Sequence, residues 1–338
     1  MVDTRPGWLT PTSAVALLEC QARAPTWGPP SLPPASMSAD SGSIAHAALK
    51  LWIESGEWRN DVSGDGLVDR FLVNVAQAGA DVARLRAGRL TQMRLQRRAR
   101  GLATLFASAS GTAIFRCESI LQDSKLFVWG RPDVVVIDRH RTQLVDLKTG
   151  EHVRNDLQAD LGIRFRMLLY AHLVRITYGV LPAVADVFSL KDGLSTFRVD
   201  SNEVDEAVQR VVRVRSAWMA GARPATPSPR TCSGCRIRPI CDPSWQALRL
   251  WKRRDAVEGT VERMVKAENE SSAVLLNTWE GTSWVTRLPP HVQSEVGDYV
   301  RVVGLRPVET RQSEARTPTN YIATDYAVVH SVGRFDHF

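Results

Sequence analysis

Two short β-branched runs constrain this chain most: GRPDVVVID at 130–138 and LVDLKTG at 144–150, with the turn Arg139-His140-Arg141 between them. Each is apolar and bounded by turn residues, the pattern of neighbouring strands joined by a tight turn. Asp133 stands at the start of the first strand, and Asp146 and Lys148 stand near the end of the second. Residues two apart on a strand point to the same face, so Asp146 and Lys148 project together. Asp133, on the adjacent strand, reaches the same end of the sheet. Charges set among apolar strands need partners. Two carboxylates and an ammonium at a sheet edge can hold a divalent cation and aim a water at a phosphate. The plainer reading is a hairpin with scattered solvated charges.

The chain has 338 residues, enough for two domains. Its 44% hydrophobic and 23% charged content is that of a soluble globular protein. A formal net charge of +7 favours an anionic partner, nucleic acid being the commonest. The first residues carry no signal pattern, and no run reaches the roughly 18 apolar residues of a membrane helix. The expectation is a cytoplasmic protein with no membrane partner. Its five cysteines are then read as ligands or free thiols rather than disulfides.

Along the chain, residues 8–20 read as a loop leading into a short helix, capped by Thr12 or Ser13 and ending at Cys20. Residues 21–41, rich in Pro and Ser, form an irregular connection. Residues 42–57 read as a helix with Ile44, Ala48, Leu51 and Trp52 on one face and His46 off it. Residues 64–109 are helical, broken near Gly88, and hold Arg84, Arg86, Arg89, Arg94, Arg97, Arg98 and Arg100. Such a cluster can line a channel for a nucleic-acid backbone or simply form a solvated face. A strand over 113–119 carries Cys117, a candidate core thiol, and Glu118. After the central hairpin come a helix over 157–179, a hairpin of 185–190 with 195–199, and a helix over 202–220. A proline-rich linker at 222–229 leads to Cys232, Cys235 and Cys241. Residues 256–338 alternate five β-rich runs (259–266, 273–278, 283–288, 298–305 and 321–330) with turns. A helix-like piece at 291–296 precedes the fourth run, and the whole resembles an OB-fold barrel. Trp279, Trp284, Tyr299, Tyr321 and Tyr326 can stack bases there or fill the barrel core.

The pattern G-x-x-D followed by D-x-K-T-G is similar to the core of the PD-(D/E)XK nuclease superfamily, and most similar to its RecB-like exonuclease branch. That resemblance implies an α/β restriction-endonuclease-like core with a mixed central sheet. It implies Mg²⁺ or Mn²⁺ held by Asp133, Asp146, the Leu147 carbonyl and His46, whose GSIAH at 42–46 looks like the branch's G-x-x-x-H motif. Lys148 would orient or deprotonate water, and Glu118 would face the site or sit as an edge-strand surface charge. The branch's Q-x-x-x-Y appears as RMLLY at 166–170, so Tyr170 is kept while Arg166 replaces the glutamine. Residues four apart share a helix face, so both can meet DNA or the active centre.

One upstream cysteine with C-x2-C-x5-C downstream matches the branch's [4Fe-4S] layout, seen in AddB-type subunits and CRISPR-associated RecB-like exonucleases. It makes Cys20, Cys232, Cys235 and Cys241 candidate cluster ligands, with zinc the alternative for four thiolates. The expected division is a nuclease domain at 1–250 and a barrel at 256–338 that binds nucleic acid or a partner. The implied function is metal-dependent cleavage of DNA, at ends or in single strands, in repair, recombination or defence. No Walker motif is present, so a helicase or other partner would open duplex. The rival readings are an inactive DNA-binding or assembly subunit and an RNA-directed nuclease.

Overall fold

The computed structural model describes residues 7–23, 41–83, 85, 87–139, 141–149, 161–252, 254–266, 271–289, 292, 294–308 and 320–334. Arg84, Arg86, His140, Gly150 and much of the expected 21–41 connection therefore lie outside the described residues, as does part of the 291–296 piece. The fold is mixed α/β with a closed five-stranded barrel at the C-terminal end. Its contacts divide it into two units: 1–18 with 25–222, and 19–24 with 223–338.

The first unit is built on a sheet of β1 (Ile114–Cys117), β4 (Val134–Ile137), β5 (Gln143–Lys148), β6 (Val184–Ser189) and β7 (Gly193–Arg198), in the order β1-β4-β5-β6-β7. All neighbours are antiparallel except β5 and β6, which run parallel. A parallel pair needs a crossover, and α5 (Leu161–Tyr178) lies between those strands in the chain. A separate hairpin, β2 (Leu121–Asp123) with β3 (Val128–Gly130), precedes the central strands.

The remaining helices are α1 (Pro11–Glu19), α2 (Ser41–Glu54), α3 (Asp65–Gln77), α4 (Gly88–Ala107) and α6 (Ser201–Met219). Thr10 Oγ1 accepts from the Ser13 amide at 3.1 Å, so the cap of α1 falls earlier than Thr12 or Ser13, with Pro11 in the first turn, where a missing N–H is harmless. On α2 the buried stripe is Ile44, Ala45, Ala48, Leu49, Trp52 and Ile53. Leu51 is exposed, because the stripe follows the 45, 49 and 52 rows and leaves position 51 to the side. Leu95, Ala99, Leu102 and Phe106 of α4 join that stripe over Val134, Val136, Val145 and Leu147 of the sheet. Trp58, Phe106 and Phe115 close the core with ring centroids 5.4–5.7 Å apart. Asp200 caps α6 by accepting from the Asn202 and Glu203 amides.

The second unit holds α7 (Pro229–Ser233), a 3₁₀ turn (Arg238–Ile240), α8 (Asp242–Leu248) and the barrel. The barrel strands are β8 (Ala256–Lys266), β9 (Ser272–Thr278), β10 (Gly281–Leu288), β11 (Asp298–Pro307) and β12 (Tyr321–Arg334). They close in the order β10-β12-β11-β8-β9, with β10 and β12 parallel. Tyr321 belongs to the barrel core. Trp279 is 51% exposed and lies beside two guanidinium groups, Arg254 at 4.7 Å and Arg249 at 5.8 Å.

Candidate active site

On β5 the side chains alternate: Val145 and Leu147 enter the core beneath α2 and α4, which puts Asp146 and Lys148 on the other face. Lys148 Nζ lies 2.7 Å from Asp146 Oδ2 and also donates to the Leu147 carbonyl at 3.4 Å. From β5 the Leu147 amide donates to Asp133 Oδ2 at 2.6 Å, so the two carboxylates are tied to one strand end. His46, half-buried on α2, places Nδ1 3.5 Å from Asp133 Oδ1.

Glu118 follows β1 in a left-handed conformation with φ 48°, and its amide donates to the Asp133 carbonyl at 3.0 Å. Such strain in a non-glycine residue is held only where surrounding contacts fix it. Its carboxylate lies 3.7 Å from Lys50 and 4.0 Å from Arg131. Sequence reasoning passed over Lys50, although its place one turn beyond His46 on α2 was the available signal.

Burial opposes charge on both members of the His46–Asp133 pair, yet each charge favours the other. Burial acts to raise the Asp133 pKa, but His46, Lys148 and the Leu147 amide outweigh it and hold the carboxyl below its ordinary value. Burial acts to lower the His46 pKa, but Asp133, with help from Asp146 and against Lys148, holds the imidazole above its ordinary value. Tyr170 lies against Gly130 and is pushed up to about 12, chiefly by burial, with Arg166, Asp146 and Asp133 close enough to act on it. Arg166 comes down from α5 onto Asp146, its terminal nitrogen 3.1 and 3.3 Å from the two carboxylate oxygens.

Two carboxylates, an imidazole and a carbonyl suit a hard divalent cation in kind. Among the described residues, however, no three His, Cys, Asp or Glu side chains are grouped as a metal site. The Asp146 carboxylate is instead occupied by Lys148 and Arg166.

Cys20, Cys232, Cys235 and Cys241 line one small recess in the second unit, together with Arg23, Thr231 and Arg238. The Thr226 amide donates to Cys20 Sγ at 3.4 Å. Burial raises the thiol pKa of Cys235 and Cys241, and the neighbouring thiols add to the effect. Four sulfurs around one recess are the right donors for an iron–sulfur cluster or zinc, although they too are not grouped at metal-holding geometry. Cys117 sits apart in the first core, its thiol pushed up to about 12 mainly by burial.

Of the α4 arginines, Arg97 is exposed and Arg94 half-buried. Arg98 is already used, donating to the Leu190 carbonyl at 3.3 Å and the Lys191 carbonyl at 2.6 Å, which pins α4 to the turn between β6 and β7. No helix among the described residues is long and apolar enough to cross a membrane.

A mixed sheet with an Asp and an Asp-x-Lys at one strand end defines a class of metal-dependent phosphodiesterases. The chain belongs to the PD-(D/E)XK nuclease superfamily, whose family model matches residues 9–242. No curated protein matches the sequence. Among solved structures, one described as "Structural mimicry for functional antagonism" is 10% identical, covering 67% of this chain and 99% of its own at a TM-score of 0.21. A murine DNA-binding protein bound to double-stranded DNA is 13% identical, covering 65% and 95% at a TM-score of 0.21. Both scores are too low to carry an argument about this chain.

Proposed function

We propose that this protein is a metal-dependent deoxyribonuclease of the RecB-like branch, acting at ends or in single strands. The observation that carries the reading is Asp133, Asp146 and Lys148 meeting at one strand end with His46 beside them. Asp133, Asp146, His46 and the Leu147 carbonyl would hold Mg²⁺ or Mn²⁺. That ion would supply polarisation of the phosphoryl oxygen and a more acidic bound water. Lys148 holds its ammonium beside Asp146, where it can orient the attacking water or offset charge on the phosphate. Glu118 adds a carboxylate at the same end. Tyr170, kept neutral at physiological pH, can position the strand through its hydroxyl.

The barrel is proposed as an OB-fold on the strength of its strand order and its parallel β10–β12 pair. Trp279, beside the Arg249 and Arg254 guanidinium groups, is the stacking candidate. Arg94 and Arg97 are the backbone contacts proposed for α4. The four-cysteine recess is proposed to hold a [4Fe-4S] cluster as a structural staple. A helicase or other partner would supply single strands, in a cytoplasmic repair, recombination or defence process. A non-catalytic binding subunit is the second reading, favoured by one observation: Arg166 occupying the Asp146 carboxylate.

The test uses protein purified without oxygen, end-labelled single- and double-stranded DNA, and Mg²⁺ or Mn²⁺, beside the Asp146→Ala/Lys148→Ala variant. Cutting that disappears in the variant is expected. Salt-sensitive binding with no cutting by either protein would instead establish the second reading.

A further inference from the structure

We propose that Arg166 is a displaceable counter-ion: it neutralises Asp146 while the cation is away, competes with it for that carboxylate, and passes to the scissile phosphate once displaced. The inference rests on the nuclease reading. Its starting point is how poorly the guanidinium is seated. Arg166 meets Asp146 through a single nitrogen that straddles both oxygens at 3.1 and 3.3 Å, long for charged partners. Its Nε is buried with no hydrogen-bond partner among the described residues. A buried guanidinium resting for good would engage its planar fork two-for-two with the carboxylate. Here half of the fork is idle, and an idle buried donor costs free energy until an acceptor arrives.

The surroundings say which acceptor fits. The Arg166 side chain is 18% exposed and that of Asp146 is 8% exposed, so the pair has little room for water. Lys148 already holds Asp146 Oδ2 at 2.7 Å, so Asp146 loses little when Arg166 leaves. A phosphodiester presents two non-bridging oxygens in the spacing a guanidinium fork matches, and a glutamine amide at this position would carry no charge to it. Cation and guanidinium thus compete in the free protein and cooperate once DNA is present. Linkage then requires DNA to raise cation affinity and the cation to raise DNA affinity.

Mn²⁺ binding to the DNA-free protein, followed by the loss of the free-ion paramagnetic resonance signal, tests this without relying on cleavage. Removing the competing charge in Arg166→Gln should tighten Mn²⁺ binding by about tenfold, in keeping with a charged hydrogen bond of ordinary strength. In the same variant, cleavage at saturating Mn²⁺ should slow, because the phosphate contact is gone. Arg166→Met, similar in length and uncharged, should do the same and serves if the glutamine variant melts early. Unchanged or weaker Mn²⁺ affinity in a folded variant would overturn the inference and leave the nuclease reading standing. Mn²⁺ binding that is absent from the wild type, or indifferent to Asp146→Asn, would overturn that reading as well.

Discussion

At the scale of single residues, the site depends on one glycine as much as on its acids. A methyl group at Gly130 would stand 2.7 Å from Tyr170 Cε1, 3.0 Å from Pro11 Cδ and 3.3 Å from Leu173 Cδ1, so β3, α1 and α5 meet with no spare volume. Gly130→Ala should cost about 1–3 kcal/mol by overpacking, read as a lower melting temperature, and should slow cutting by displacing Tyr170 and Arg166. A second substitution, Tyr170→Leu, should recover part of the stability. Additive losses in the double variant would show that the ring is not the obstacle. The glycine was visible in the sequence as the first letter of G-x-x-D. Its reason, a neighbour forty residues away, was not.

At the scale of elements, α5 is held to the β2–β3 hairpin by a buried polar contact: His172 Nε2 lies 2.8 Å from Asp123 Oδ2, and Arg175 approaches the other ring nitrogen. Burial acts to raise the Asp123 pKa, but His172 and the Leu126 and Lys125 amides outweigh it, so the folded value lies below the ordinary 3.8. A carboxyl lowered on folding stabilises fully above its unfolded value and stops doing so as pH falls through the folded one. Asp123→Asn should therefore melt earlier than the wild type at neutral pH, with the gap closing below the ordinary 3.8. A gap that stays constant with pH would rule out the ionised contact.

This hairpin is not legible in the sequence, because three-residue strands around an Asp turn give no alternation to count. The β4–β5 hairpin, α2 with His46 and the barrel strands are legible: β4 and β5 as short apolar, β-branched runs between turn residues, α2 by its 3.6 period, and the barrel strands as β-rich runs set off by turns. Arg166 on Asp146 was beyond reach. The shared helix face of Arg166 and Tyr170 is readable, but its rotation over β5 is decided by packing on several elements at once.

At the scale of the whole molecule, the cysteine segment falls in the same compact unit as the barrel strands. Arg238 explains much of this. Its side chain is 2% exposed, pairs with Asp255 at 2.7 and 2.9 Å, and lies 5.4 Å from the Trp251 ring, so the turn bearing Cys235 and Cys241 is bolted to the start of β8. Asp255→Ala would strand that charge and should cost about 2–3 kcal/mol, less than for a fully buried pair because Asp255 keeps some water contact. Limited proteolysis should then cut 223–250 sooner. If the recess holds a [4Fe-4S] cluster, protein prepared without oxygen will contain iron and acid-labile sulfide that Cys235→Ser and Cys241→Ser remove together with resistance in that segment. Zinc without sulfide would assign the recess to the other metal.

In the proposed chemistry, phosphodiester cleavage runs through a cation at Asp133 and Asp146. Replacing a non-bridging oxygen of the scissile phosphate with sulfur tests it most directly, because sulfur binds Mg²⁺ poorly and Mn²⁺ better. One phosphorothioate diastereomer should be cut slowly in Mg²⁺, regain speed in Mn²⁺, and escape cutting by Asp146→Ala/Lys148→Ala in either metal. Equal cutting of oxygen and sulfur substrates in both metals, or cutting that survives in the variant, would contradict it.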